Sequence, residues 1–265
     1  MSFSASSAVA RRPSGWAVVA TEETEIHHSA DVAPYVEGRI WDDRDIPAHL
    51  LVTEAVHAHG ALAAIELVHT GMAANNMYTR IPPMGPSHRP TSGDLYPIQA
   101  RRMDKQDIAD LRRWHREATI RSLKAGYDIV YVYAGHNLST LQHFLSRRYN
   151  DRTDEYGGSL ENRARLLREV IEDTLEAVDG AAGVACRIVV DELIGESGFT
   201  RGEMVELLGM IGELPDVWDF MVGAWPDDSV TSRFAGESDQ EELLSLIHIS
   251  EPTRLGMLSR MPSSA

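Results

Sequence analysis

Two short apolar runs, YDIVYVY at 127–133 and VACRIVV at 184–190, flank a stretch with unmistakable helical periodicity. In that stretch, 159–178, Leu160, Ala164, Leu167, Ile171, Leu175 and Val178 recur at intervals of four, three, four, four and three, which draws one apolar stripe down a helix. Strands that are apolar on both faces are buried on both faces, and a helix-length connection between them can join parallel neighbours. This strand–helix–strand unit restricts the chain to an α/β fold built on a parallel sheet.

The same rhythm extends both ways. WAVVA at 16–20 and ALAAIEL at 61–67 read as strands. A helix over 46–59 is predicted between them from Asp45 as N-cap, Pro47 in the first turn and Gly60 as stop. Residues 70–102 read as a long loop containing RIPPMGPSHRP, and loops of that length in compact domains are usually functional. Asp104 caps a helix with Ile108, Leu111, Ala118 and Leu123 largely on one face. Thr200 with Glu203 forms a capping box ahead of Met204, Leu207, Leu208 and Ile211, and VWDFMV at 217–222 is the last strand. Five strands with four intervening helices fit an open doubly wound sheet or a closed barrel, and periodicity does not choose between them. No GxGxxG turn follows the first strand, which weighs against a dinucleotide-binding sheet.

Composition excludes several classes. Lys and Arg number 25 against 40 Asp and Glu, and the resulting net charge of −15 repels nucleic acid. No apolar run reaches the ~18 residues that a membrane-spanning helix needs. The opening MSFSASSAVARR is too short and too polar for a secretory signal. With Cys186 as the single cysteine, no disulfide forms within the chain, and no zinc site or iron–sulfur cluster can be built from its cysteines alone. A reducing, cytoplasmic location is the expectation.

In a parallel barrel the chemistry collects at the C-terminal ends of the strands. Those positions hold Glu23, then Glu66 and His69, then Tyr133 and His136, then Arg187, then Trp225 and Asp228. Each has a structural explanation taken singly: Glu66 as a loop cap, Tyr133 as core. An unpaired Arg187 inside an apolar strand is expensive, which favours a position facing a ligand, a carboxylate or the barrel interior. Together, polar groups at the same end of every strand favour a site. The pairs His27/His28 and His57/His59 have no third ligand at suitable spacing, so no metal site is expected.

The stretch YDIVYVYAGHNLSTLQHFLSRRYNDRTDEYGGSLENRARLL, beginning at Tyr127, resembles the Old Yellow Enzyme-like FMN oxidoreductase superfamily. The Tyr133/His136 pair, three apart, is similar to that of the trimethylamine, dimethylamine and histamine dehydrogenase subfamily. GWAVVATEE, GRIWDDRDI, HAHGALAAIELVHTG, MGPS, ACRIVVD and WDFMVGAWPDDSVTSRF follow the same order, so the resemblance covers residues 14–234. It implies a (β/α)8 TIM barrel of which about strands 2–6 are present, with strand 1 and strands 7–8 missing. Residues 1–13 are then a non-native or disordered stretch, 14–234 a partial FMN-binding barrel, and 235–265 a disordered or artefactual tail in which LSLIHISEPTRLGM resembles sequencing-adapter read-through.

The resemblance also implies roles. Tyr133, His136 and Asp228 would lie beside flavin and substrate amine, Arg187 near flavin N1 and the C2 carbonyl, and Glu66 against the flavin ring. Trp225 would form one wall of a bowl that holds an alkylammonium by cation–π attraction. Glu23 stands where the subfamily has an aromatic or amide wall and would favour an amine with an N–H to donate. The implied cofactor is FMN, with a 4Fe–4S cluster in the parent's C-terminal part. The implied partners are a small amine, an electron acceptor such as a flavoprotein, and other copies of the parent chain. The Cys that bonds to flavin in the subfamily has no counterpart in residues 1–13, and a phosphate-holding loop is not found in 235–265, so this chain is expected to bind FMN poorly. The competing expectations are an enoate or 2,4-dienoyl reductase of the same superfamily, and a truncated barrel with no catalysis.

Overall fold

A computed structural model describes residues 15–32, 37–90, 98–236 and 240–241. The elements run β1 (Val18–Glu25), β2 (Gly38–Arg39), α1 (Ile46–His57), β3 (Leu62–Val68), β4 (Met84–Gly85), β5 (Arg89–Pro90), β6 (Gln99–Arg102), α2 (Lys105–Lys124), β7 (Ile129–Ala134), α3 (Thr140–Leu145), α4 (Leu160–Val178), β8 (Gly183–Val189), α5 (Arg201–Ile211), β9 (Val217–Met221) and α6 (Trp225–Arg233). Six of the strands form one parallel sheet in the order β2–β1–β3–β7–β8–β9.

The five predicted strands and four helices are all present. Of the expected divisions, 1–13 lies outside the described residues, and so does 235–265 apart from residues 235, 236, 240 and 241. β1 runs on to Glu25, beyond the predicted end at Ala20, through an irregularity between Ala20 and Glu23. The charged stretch TEETE hides this strand end from an apolar pattern. The 70–102 loop has local order: β4, β6 and β5 make a separate three-stranded sheet. α3, α6 and the two-residue β2 were not predicted, being too short or too polar for periodicity to register.

The two faces of the main sheet bury different things. On the outer face α1 and α2 pack against β3, and α4 packs against β7, β8 and α2, closing a core that runs from Val19 to Met221. The inner face carries a small separate apolar cluster of Ala64, Tyr131 and Ala185 with Val18, Ile129 and Val217 around it. The polar strand residues project from this inner face.

Two predicted caps are rearranged by tertiary contacts. Asp45 makes no side-chain cap to α1; its carboxylate instead accepts from Trp41 N at 2.9 Å and Arg39 Nε at 3.1 Å. Thr200 does cap α5, accepting from Glu203 N at 3.4 Å. The reciprocal half of that box is lost because the buried Glu203 carboxylate pairs with Arg163, and with Arg147 at 2.6 Å. Elsewhere the local signals hold. Asp104 and Asp107 form a capping box on α2, Ser159 caps α4, and α4 stops at Asp179 in a left-handed conformation.

Candidate active site

Parallel pairing brings residues from distant parts of the chain into rows across the inner face. One row is Glu23, Glu66 and Tyr131, on β1, β3 and β7. The next is Tyr133, Arg187 and Asp219, on β7, β8 and β9. Partners in a parallel register project the same way, so the two rows meet as one polar patch.

His136 joins the patch through a turn. It follows β7 with φ 55°, and Asn137 follows with φ 62°. Two successive left-handed non-glycine residues are unfavourable by about 1–2 kcal/mol each, although Asn and His tolerate this region better than most residues. The turn is held by Asn137 N donating to Gln142 Oε1 at 2.6 Å and by Ser139 Oγ donating to the Tyr133 carbonyl at 2.5 Å. It folds the imidazole back so that His136 Nδ1 bonds to Tyr133 Oη. Tyr133 is fully buried, and its Oη also donates to Glu23 Oε1 at 3.3 Å. On the far side of the ring, His136 Nε2 donates to Asp228 Oδ2 at 3.3 Å. Asp228 comes from α6 and accepts from Gln240 Nε2 at 2.9 Å. The phenol, the imidazole and two carboxylates therefore form one connected group.

Arg187 sits beside them. Its Nη1 donates to Glu66 Oε2 at 3.1 Å, and its Nε lies 3.6 Å from Asp219 Oδ2, beyond hydrogen-bonding distance. Arg187 Nε and Glu66 Oε1 are buried with no hydrogen-bond partner. Four carboxyl groups thus surround one guanidinium and one imidazole.

Their protonation follows from that crowding. Burial drives the Glu66 carboxyl up to about 7, with the Glu23 and Asp219 charges adding to the rise and Arg187 only partly offsetting it. Asp219 is also pushed up by burial. Burial alone would raise Glu23, but the hydrogen bond and charge of His136, with the Arg187 charge, bring it below the ordinary value. Burial alone would lower His136, and its bonds to Asp228 and Glu23 reverse that, favouring the imidazolium. Burial beside Glu23 and Glu66 holds the Tyr133 phenol well above its usual range.

Of the residues singled out in the sequence, Glu23, Glu66, Tyr133, His136, Arg187 and Asp228 come together. Trp225 opens α6 three residues before Asp228, with 60% of its surface exposed. His69 goes elsewhere: it is buried on the outer side, bonded to Ser29 Oγ at 3.0 Å and Thr140 Oγ1 at 2.9 Å, and burial pulls it down to about 3. Sequence reasoning missed Asp219 and Gln240. An Asp inside the apolar run VWDFMV was the available signal for the former; nothing local marks the latter. Of the histidines in the two sequence pairs, His27 stacks on Trp114 with centroids 3.7 Å apart, and His57 bonds Asp128 at 2.7 Å. Among the described residues no group of three or more His, Cys, Asp or Glu is placed to hold a metal ion, and no helix is long and apolar enough to cross a membrane.

Known proteins share this arrangement of elements. The structure of histamine dehydrogenase from Rhizobium sp. 4-9 superposes with a TM-score of 0.88 at 45% identity, over 93% of this chain and 36% of that one. The structure of 6-hydroxypseudooxynicotine amine oxidase from Pseudomonas geniculata N1 gives 0.89 at 41% identity, over 94% of this chain and 37% of that one. Dimethylamine dehydrogenase of Hyphomicrobium sp. (strain x) is 32% identical over 232 residues, 83% of this chain and 31% of the dehydrogenase. The chain thus spans about a third of the length of each of these relatives. The resemblance read from residues 127–167 is borne out. With residues 4–241 matching the family's profile, the chain belongs to the NADH:flavin oxidoreductase / NADH oxidase family of FMN-dependent oxidoreductases, on its amine dehydrogenase side.

Proposed function

We propose that this chain carries the substrate side of an FMN-dependent amine dehydrogenase, which oxidises a small alkylamine to an imine that water hydrolyses to an aldehyde and a smaller amine. The observation that carries the reading is the Tyr133 hydroxyl, bonded to both His136 and Glu23 in a patch rich in carboxylates. Such a patch attracts an ammonium and disfavours a neutral carbonyl compound, which needs two hydrogen-bond donors on its oxygen.

The residues present fit a flavin ring. Arg187 Nε is a buried donor and Glu66 Oε1 a buried acceptor, both unsatisfied within the protein. A ring edge that alternates carbonyl oxygen and N–H answers both, and buried polar groups in native proteins are rarely left unpaired. When bound, FMN supplies the acceptor for the hydride that leaves the carbon next to nitrogen.

The chain's own groups do the rest. Glu23 and the Trp225 ring hold the cationic nitrogen, the first by charge and the second by cation–π attraction. Oxidation needs the nitrogen lone pair, so one proton must leave. Tyr133 Oη connects the substrate position to Glu23 Oε1, to which it donates, and to His136 Nδ1, which can take a proton once the imidazolium has lost one. Asp228 fixes the far side of the imidazole and so orients it. Arg187 sets a permanent positive charge where electron density arrives.

The proposal extends to the whole molecule. The parallel sheet supports a β/α barrel of which this chain supplies about strands 2–6. The parent would hand electrons through a 4Fe–4S cluster to a separate acceptor and would assemble as a homo-oligomer. The test is steady-state kinetics of the parent enzyme with an artificial acceptor. Dimethylamine should be turned over, and Tyr133→Phe should lower kcat/KM by about 10²-fold or more. Reduction of an enone such as cyclohexenone without amine turnover would replace this reading with that of an enoate reductase.

A further inference from the structure

Glu192 is a buried carboxylate that the proposed reaction does not use. It lies three residues beyond β8 and is 7% exposed. One of its oxygens, Oε2, accepts from Ser146 Oγ at 2.7 Å and from Phe199 N at 2.6 Å. The other, Oε1, accepts from Gln142 Nε2 at 2.9 Å. Ser146 Oγ itself accepts from Arg148 N at 3.3 Å, so its proton is free to point at the carboxylate. Burial holds the Glu192 carboxyl above its ordinary value, and the three hydrogen bonds offset that more than the Arg148 charge does. A carboxylate buried among neutral donors costs more than an amide of the same shape unless its acceptor capacity is used.

The other end of Gln142 shows where that capacity is needed. Gln142 Oε1 accepts from Asn137 N at 2.6 Å, within the pair of left-handed residues that folds His136 back. A primary amide has a donor end and an acceptor end. Asn137 N can only donate, so it requires the oxygen, and the NH2 end must then face an acceptor. Glu192 accepts at both oxygens and fixes that orientation. An amide at position 192 would turn its own NH2 toward Gln142 Nε2 or toward Phe199 N, and either choice sets two donors against each other. Gln142 is 1% exposed, so bulk water does not supply the missing partner.

We propose that Glu192 is a positioning residue for His136: through Gln142 it locks the Asn137 turn and so holds the imidazole between Tyr133 and Asp228. Its catalytic consequence rests on the amine dehydrogenase reading, to which it adds a residue that bonds to none of the groups in the polar patch.

The groups acting on the His136 ring are Asp228 from α6, Glu23 from β1, Tyr133 from β7, Arg187 from β8 and Asp219 from β9. The first two favour its protonated form, so a ring that swings away from them titrates lower. NMR titration of isotope-labelled histidine in the 265-residue chain reads this without any redox step, with the His136 signal assigned by its loss in His136→Gln. Glu192→Gln should lower the His136 midpoint by about half a pH unit or more. Gln142→Met cuts the same link and leaves Glu192 its bonds to Ser146 and Phe199. It should lower the midpoint too, and it gives the answer if Glu192→Gln does not fold. Combining Glu192→Gln with Gln142→Glu restores every bond with the roles exchanged, and should return the midpoint to that of the unmodified chain or above. Leu167→Ala loosens the core without touching the turn and should leave the midpoint where it was. In the parent enzyme Glu192→Gln should lower kcat for dimethylamine about tenfold, with a smaller change in KM. An unmoved midpoint in folded Glu192→Gln would reduce Glu192 to a tie between two loops and overturn the proposal. So would an unmoved midpoint in Gln142→Met, or an equal shift in Leu167→Ala. If His136 responds as expected but Tyr133→Phe leaves dimethylamine turnover untouched, the amine dehydrogenase reading falls and the link from Glu192 to His136 does not.

Discussion

His136 stands between two carboxylates, with Asp228 Oδ2 at 3.3 Å from Nε2 and Glu23 Oε1 at 3.9 Å from Nδ1. The folded protein therefore binds its proton more tightly than the unfolded chain does. Because the folded value is raised above about 6.5, the contribution to stability is fully present below that pH and is lost as pH rises through the folded value. Asp228→Asn removes one of the two charges, so the group controlling amine oxidation should titrate lower. The low-pH limb of kcat/KM should then shift to lower pH, with kcat/KM down about tenfold or more from misorientation of the ring. An unshifted limb in that variant would assign the titration to another group. Glu23 makes a separate prediction. A carboxylate wall rewards an N–H on the substrate, so a parent enzyme carrying it should use dimethylamine better than trimethylamine. Glu23→Gln should narrow that ratio, and equal or better use of trimethylamine by the unmodified enzyme would remove the role given to Glu23.

At the scale of elements, the rigidity of the site comes from the outer core. Leu167 on α4 is fully buried against the sheet that positions Tyr133 and Arg187. Leu167→Ala should destabilise the chain by ~2–5 kcal/mol, measured by denaturant unfolding, since the cavity left behind collapses only partly. Ser159→Ala, which removes the N-cap of the same helix, should cost about 1 kcal/mol. α4 was the most legible element in the sequence because its stripe is long and regular. β1 was the least complete, because TEETE reads as solvated charge until neighbouring strands supply a face for it to line. The β7-to-α3 turn was invisible as geometry: its left-handed His136 and Asn137 are held by Gln142 and Ser139, whose bonds exist only once α3 has formed.

For the molecule as a whole, the net charge of −15 and the acidic patch act in the same direction on a cationic amine. Fields of this kind speed the encounter and are screened beyond roughly 8 Å at physiological ionic strength. Raising the salt concentration should therefore lower kcat/KM for an ammonium substrate several-fold while leaving kcat nearly unchanged. A kcat/KM indifferent to salt would confine the electrostatic contribution to the immediate contacts of Glu23.

By itself the sequence determined the alternation of strands and helices, since apolar periods of two and 3.6 are properties of consecutive residues. Of the seven site residues proposed from it, six converge, because a polar group at the end of an apolar strand stands out locally. Only the tertiary structure decided that Asp219 flanks Arg187, that Glu203 deserts its cap for Arg163, and that His69 turns into the outer core. Strand register, burial and the competition among charges for one partner depend on groups far apart in the chain, and no window of neighbouring residues contains them.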